Sequence, residues 1–305
     1  MKIFDSYKLG NLTLKNRIVM APMTRSRAID NIPNDLMRTY YTQRAGAGLI
    51  ITEGTSPSPN GLGYPRIPGA YSDKQVAGWK SVAEGVHQAG GLIFVQLMHT
   101  GRVTASLNLP KGAKVLAPSA IQCSGKMYTD EEGEQPHDTP AAMSLEEIAQ
   151  AQDEYVHCTK KLVEAGIDGV ELHSANGYLM NQFLDPGSNQ RTDNYGGDYK
   201  NRARFVLETA RKAVAAVGGE KVGIRFSPYG VMNDMKHDYD GLVDLYTYLA
   251  EELKEIGVAY IHVVDHTAMG APDFETDIKS TIKKAFGGVV ITGGGVESAE
   301  KAEEI

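Results

Sequence analysis

The sequence predicts an α/β protein, a single (β/α)8 TIM barrel, and three observations carry that prediction. Seven short, uninterrupted apolar runs alternate with longer amphipathic segments, as buried parallel strands alternate with the helices that cover them. Polar residues and glycines gather at the ends of those runs: Thr24, Gly54, His99, His173, Arg225 and Gly293. Barrels and open doubly wound sheets both build their sites there. No run leads directly into Gly-x-Gly-x-x-Gly, the phosphate turn of an open dinucleotide-binding sheet. The first leads into Ala21-Pro22-Met23-Thr24 instead, which favours the closed barrel.

Taken in order, the residues before Arg17 are expected to form a short hairpin capping the barrel bottom. The first strand is expected over Arg17 to Met20, the second over Leu49 to Glu53. Asp73 is placed to cap a helix running towards Gly90. The third strand spans Leu92 to Met98. The stretch from about Thr100 to Met143 is too long for a plain strand–helix connection and is expected to form a small capping subdomain over the site. Ser144-Leu145-Glu146-Glu147 reads as a capping box opening a long helix that ends near Gly166. Strands follow over Gly169 to His173, Val222 to Phe226, Tyr260 to Val264 and Val289 to Thr292, with helix stops at Gly218-Gly219 and Gly257. No linker divides residues 1–305, so one domain is expected. The given sequence closes on Glu303-Glu304-Ile305, in the helix after the seventh strand. Seven strands leave two open edges, so the eighth unit is expected from a missing segment or a second chain.

Composition narrows the function classes. The formal net charge of −7 argues against a non-specific nucleic-acid binder, which needs a basic field. No apolar stretch approaches the roughly 20 residues of a membrane helix, and Met1 to Asp5 do not open a signal peptide. The two cysteines, Cys123 and Cys158, are far apart and match no metal spacing. Reduced thiols and a cytoplasmic location are expected. The eight histidines are scattered, with no His-Glu-x-x-His pattern, so no metal is expected.

The most informative segment is His173-Ser174-Ala175-Asn176-Gly177-Tyr178. A spacing of three would set His173 and Asn176 side by side on a helical turn. Two neutral donors side by side can grip one carbonyl oxygen and stabilise negative charge growing on it. Tyr178 supplies a weak acid able to protonate a strongly basic carbanion. The bland alternative is a core histidine with a structural Asn and Tyr. Arg225 lies inside an apolar strand and needs an electron-rich partner, either a ligand atom or a buried carboxylate such as Glu171. Gln96, also within an apolar strand, suits an amide-like heterocycle edge, and a satisfied structural Gln is an equal alternative. Thr292-Gly293-Gly294-Gly295 follows the seventh strand, where barrels recurrently hold phosphate. Asp193 and Asn201-Arg202 read as structural.

Together, Ala21-Pro22-Met23-Thr24, Gln96 with His99-Thr100-Gly101-Arg102, His173 to Tyr178, and Arg191-Thr192-Asp193-Asn194-Tyr195-Gly196-Gly197 resemble the old yellow enzyme family in order along the whole chain. The resemblance implies an FMN-containing, NADPH- or NADH-dependent reductase of activated C=C bonds, working by a ping-pong hydride transfer through flavin N5. It implies isoalloxazine contacts from Pro22, Met23, Thr24, Gly54 and Gln96, with Arg225 beside N1 and the C2 carbonyl. Backbone N–H groups of Gly294 and Gly295 would bind the phosphate. His173 and Asn176 would hold the activating oxygen of an electron-poor alkene, and Tyr178 would donate the proton. Thr24, Tyr64, Met98 and Asn233 would line the substrate pocket. Thr24 stands where one branch of the family carries a cysteine, which implies the classical branch, similar to N-ethylmaleimide reductases. Met98 stands where many relatives have Trp, so a roomier pocket is expected. Two other readings remain: a phosphate-handling barrel enzyme, for which Lys221 lies at the wrong end of its strand, and a non-catalytic flavin-binding fragment.

Overall fold

The computed structural model describes residues 1–267, 270–271 and 276–304; Ile305, named above, lies outside them. The chain opens with an antiparallel hairpin, β1 (Tyr7–Leu9) and β2 (Leu12–Leu14). Its Leu9 and Leu14 pack with Leu49, Ile51, Phe94 and Tyr260, so the hairpin plugs the bottom of the barrel. The barrel strands begin with β3 (Val19–Met20), β4 (Leu49–Ile51) and β5 (Ile93–Leu97). An excursion of short strands follows: β6 (Leu116–Ala117), β7 (Lys126–Thr129), β8 (Gly133–Pro136) and β9 (Ala141–Ala142). The barrel resumes with β10 (Gly169–Ser174), β11 (Val222–Phe226), β12 (Tyr260–Val264) and β13 (Val289–Gly293).

The seven barrel strands lie in the order β3-β4-β5-β10-β11-β12-β13, every pair parallel. Each strand therefore neighbours the next barrel strand in the chain, with no reversal of order. An open doubly wound sheet has such a reversal, and a barrel does not. Among the described residues β3 and β13 end the order and do not pair with each other. The Glu303 carboxylate accepts from the backbone N–H groups of Lys2 (2.8 Å) and Ile3 (3.0 Å), joining the last helix to the first turn.

The helices are α1 (Asp35–Thr42), α2 (Asp73–Gln88), α3 (Leu145–Glu164), α4 (Leu179–Leu184), α5 (Tyr199–Val217), α6 (Leu242–Ile256), α7 (Ile278–Phe286) and α8 (Ala299–Glu304). Their apolar faces cover the outside of the sheet through Trp79, Tyr155, Phe183, Phe205 and Tyr246. The Ser144 capping box forms as expected. At α2 the cap is one residue earlier than expected. Ser72 makes a reciprocal box with Gln75, and Asp73 takes the first helical position, where its charge suits the helix dipole.

Strand ends differ from the expectation for a physical reason. The second strand stops at Ile51 rather than Glu53, because the Glu53 N–H leaves the ladder to donate to the Tyr41 hydroxyl (2.9 Å). Inside the barrel, Gly223 is required by close approach. A Cβ there would lie 2.1 Å from the ring of Tyr260, whose bulk fills the floor. Outside it, the β7–β8 hairpin is tied to the segment after β4. Arg66 pairs with Asp130, and the Asn108 amide donates to the carbonyls of Gly63 and Tyr128, both at 2.9 Å.

Ser144→Ala removes one capping acceptor and one partner in the box. It should lower stability by about 0.5–2 kcal/mol, read as a lower urea midpoint with an unchanged slope. An unchanged midpoint would show that α3 is held by packing alone.

Candidate active site

Parallel register sets two layers of side chains inside the sheet. Glu171 aligns with Gln96 on one neighbour and Gly223 on the other. One layer nearer the strand C-termini, His173, Arg225 and His262 align across β10, β11 and β12. In the lower layer Gln96 Nε2 donates to Glu171 Oε1 (2.8 Å), and His262 Nδ1 lies 2.9 Å from Glu171 Oε2. A carboxylate can only accept, so His262 donates from Nδ1. Burial pulls the Glu171 carboxyl upwards, but His262, Arg225 and Gln96 outweigh it and hold it below its ordinary value. Burial lowers His262 against the pull of Glu171.

Of the two partners weighed for Arg225, Glu171 acts on it through charge without a hydrogen bond. Both oxygens of Glu171 are taken by Gln96 and His262. Arg225 is 7% exposed, and its side chain makes no hydrogen bond or ion pair among the described residues. Its buried Nε is without a partner, as is Nδ1 of His173. Burial, then Arg225 and His262, push His173 well below the ordinary histidine range, so its imidazole is neutral. Burying a guanidinium without a hydrogen-bonded partner is costly, and the nearby charge of Glu171 works against that cost.

His173 and Asn176 are not on a helical turn. His173 is in β10, and Asn176 sits in the following turn with φ +59°. Three bonds hold Asn176 there. Its N–H donates to Ser227 Oγ (2.8 Å), its carbonyl accepts from Asn233 Nδ2 (2.7 Å), and its Oδ1 lies 3.0 Å from His266 Nε2. Tyr178, at the N-terminus of α4, has its hydroxyl 2.9 Å from that of Tyr64 and its ring edge-on to His173 at 5.0 Å. Burial, reinforced by Tyr64, pushes its pKa well above the ordinary tyrosine value, so it holds its proton.

Pro22, Met23 and Thr24 lie in the loop after β3; Pro22 is half-buried and the other two are exposed. That loop is anchored by Glu53, which accepts from the Arg25 N–H (3.2 Å) and the Tyr41 hydroxyl (3.0 Å). Gly54 leaves room for Met98: a Cβ would lie 2.5 Å from the Met98 sulfur. Met98 is buried in one cluster with Leu62, Val103 and Tyr178. Asn233 holds φ +56°, and its carbonyl accepts from Arg102 (3.0 Å). Gly294 (φ +92°) and Gly295 (φ +69°) form the exposed turn after β13, with Gly294 against the Asp265 carbonyl. Asp193 pairs with Arg191 and Arg202 donates to the Leu184 carbonyl (2.8 Å), away from the layers described above.

Sequence reasoning passed over His262, His266, Ser227, Tyr41 and Glu53. The signal that selected His173, a polar residue at the end of an apolar run, applies equally to His266, and His262 is a polar residue inside such a run, like Gln96.

The comparisons with known proteins fit this geometry. Residues 2–305 match the model of the NADH:flavin oxidoreductase / NADH oxidase family. The chain belongs to that family of flavin-dependent oxidoreductases. It is 38% identical over 303 residues to 12-oxophytodienoate reductase 1 of Oryza sativa subsp. japonica, covering 98% of this chain and 78% of that protein. Morphinone reductase in complex with tetrahydroNAD superposes with a TM-score of 0.92 at 39% identity, over 100% of this chain and 83% of that one. The old yellow enzyme homologue from Zymomonas mobilis gives 0.93 at 36% identity, over 100% and 86%.

Five buried imidazoles, His99, His137, His173, His262 and His266, have pKa values depressed by burial, that of His99 to about 3. A depressed histidine binds fewer protons folded than unfolded. Its contribution to stability is present above the unfolded value of 6.5 and is lost as pH falls towards the folded value. The urea midpoint should therefore drop from about pH 6.5 to about pH 4. A flat midpoint across that window would contradict neutral, buried imidazoles.

Proposed function

We propose that the protein reduces electron-poor C=C bonds of enones, enals, maleimides and nitroalkenes, with FMN as resident cofactor and NADPH or NADH as hydride donor. The observation that carries the reading is the buried Arg225, whose Nε has no partner, directly across the β10–β11 ladder from His173, whose Nδ1 has none either. A cationic donor there suits the electron-rich N1 and C2-carbonyl edge of a flavin. Pro22, Met23, Thr24, Gly54 and Gln96 would meet the ring system, and the N–H groups of Gly294 and Gly295 the phosphate. When bound, FMN supplies two-step hydride chemistry between nicotinamide and alkene.

The chain's own residues do the rest. His173 and Asn176 offer N–H donors to one carbonyl or nitro oxygen and draw electron density from the alkene. Negative charge grows on that oxygen as the β-carbon gains hydride, so these bonds strengthen towards the transition state. Tyr178, kept protonated by burial, delivers its proton to the α-carbon. The balance is alkene, NAD(P)H and a proton giving alkane and NAD(P)+. Thr24, Tyr64, Met98 and Asn233 bound the pocket. No helix among the described residues is long and apolar enough to cross a membrane, and Cys123 and Cys158 are free, which supports a cytoplasmic setting. The open edges of β3 and β13 would accept one further strand, from additional sequence or a second chain.

Two experiments test this reading. FMN-loaded protein should consume NADPH or NADH with 2-cyclohexenone, and Tyr178→Phe should slow that reaction about 10²–10⁴-fold while flavin reduction by the nicotinamide stays nearly intact. An equal slowing of both half-reactions would assign Tyr178 a structural role. His173→Ala, at unchanged flavin content, should weaken phenol binding about 10-fold or more, as expected for a lost bond to a charged acceptor. Undiminished phenol affinity would remove His173 from the oxygen site.

A further inference from the structure

Asn176 has four polar groups: its backbone N–H and C=O, its side-chain Oδ1 and its amide NH₂. Three are occupied, by Ser227, Asn233 and His266. Among the described residues nothing accepts from Nδ2, although the side chain is only half-buried. Which end of the amide faces outward depends on His266. That ring lies just past β12, and its Nδ1 receives the backbone N–H of Val231 (3.3 Å). A backbone N–H only donates, so Nδ1 carries the lone pair and the proton sits on Nε2. Nε2–H then faces an amide at 3.0 Å and demands its oxygen. The NH₂ is left pointing away from His266. Space for the ring is kept by Gly230, whose Cβ would lie 3.1 Å from His266 Cε1.

From this chain of donors and acceptors we infer that His266 is a positioning residue. It fixes the amide orientation of Asn176, so that the site presents an N–H donor and selects substrates whose activating group is an acceptor oxygen. Without His266 the amide is free to rotate, and half of its orientations put oxygen against oxygen. The inference rests on the proposed function only in taking Asn176 to face the substrate.

The test is a double-mutant cycle on FMN-loaded protein, reading kcat/KM for 2-cyclohexenone and the dissociation constant of phenol from the flavin spectrum. His266→Ala should lower kcat/KM and phenol affinity about 2–10-fold, the effect of one neutral hydrogen bond. His266→Gln, which keeps an N–H near the Nε2 position, should recover both to within about twofold of the parent. In an Asn176→Ala background, His266→Ala should change neither by more than about twofold, because the group it orients is gone. A full loss in that background would overturn the inference, since packing and not amide orientation would be responsible. Failure of the Gln variant at normal flavin content would do the same. If the parent binds phenol but reduces no enone, the proposed function fails, and the phenol cycle still decides the role of His266.

Discussion

The burial of charge inside the barrel is the constraint on which the rest of the site depends. Glu171 is fully buried, and its two oxygens are committed to Gln96 and His262. That commitment leaves the Arg225 side chain in the layer above with no hydrogen bond of its own. Pairing Arg225 with Glu171 directly would neutralise the guanidinium and consume the site's one buried cation in that row. The polar ladder from Gln96 to His262 therefore holds the carboxylate back, and the positive charge stays available at the mouth. Depressed imidazole pKa values belong to the same arrangement, because a second positive charge beside Arg225 would be opposed by burial and repulsion together.

The second organising fact is that the other site residues are held in place by their neighbours. Asn176 is gripped at three atoms, Tyr178 is bonded to Tyr64, and the Thr24 loop is anchored through Glu53 and Tyr41. The anchors come from the segments after β4, β11 and β12 and from helix α1. The barrel supplies a rigid frame from which such loops converge, and convergence turns a set of flexible side chains into fixed donors.

Much of this was legible in the sequence. The continuous apolar runs located all seven barrel strands, and β11 and β12 match residue for residue, because buried parallel strands need apolar residues on both faces. His173, Asn176, Tyr178, Arg225 and Gln96 were visible because polar residues in or beside such runs need a reason. Two things were not legible. The positive φ of Asn176 came from tertiary bonds to Ser227 and Asn233, which local spacing does not reveal, so a helical turn was expected in its place. The partner of Arg225 was open for the same reason: His262 outcompetes it for Glu171 only once β10, β11 and β12 are in register.

The ties between the β7–β8 hairpin and the segment after β4 carry a mechanical consequence. Tyr64 lies between Gly63, bonded to Asn108, and Arg66, paired with Asp130 at the hairpin tip. Its hydroxyl is the one neighbour that Tyr178 bonds through its own hydroxyl among the described residues. A substrate bulky enough to lift the hairpin would pull on Tyr64 and spoil the hydroxyl pair. With Tyr178 as the proposed proton donor, size discrimination would then register as slow proton delivery rather than weak binding, and an oversized alkene would occupy the site yet leave it unreduced.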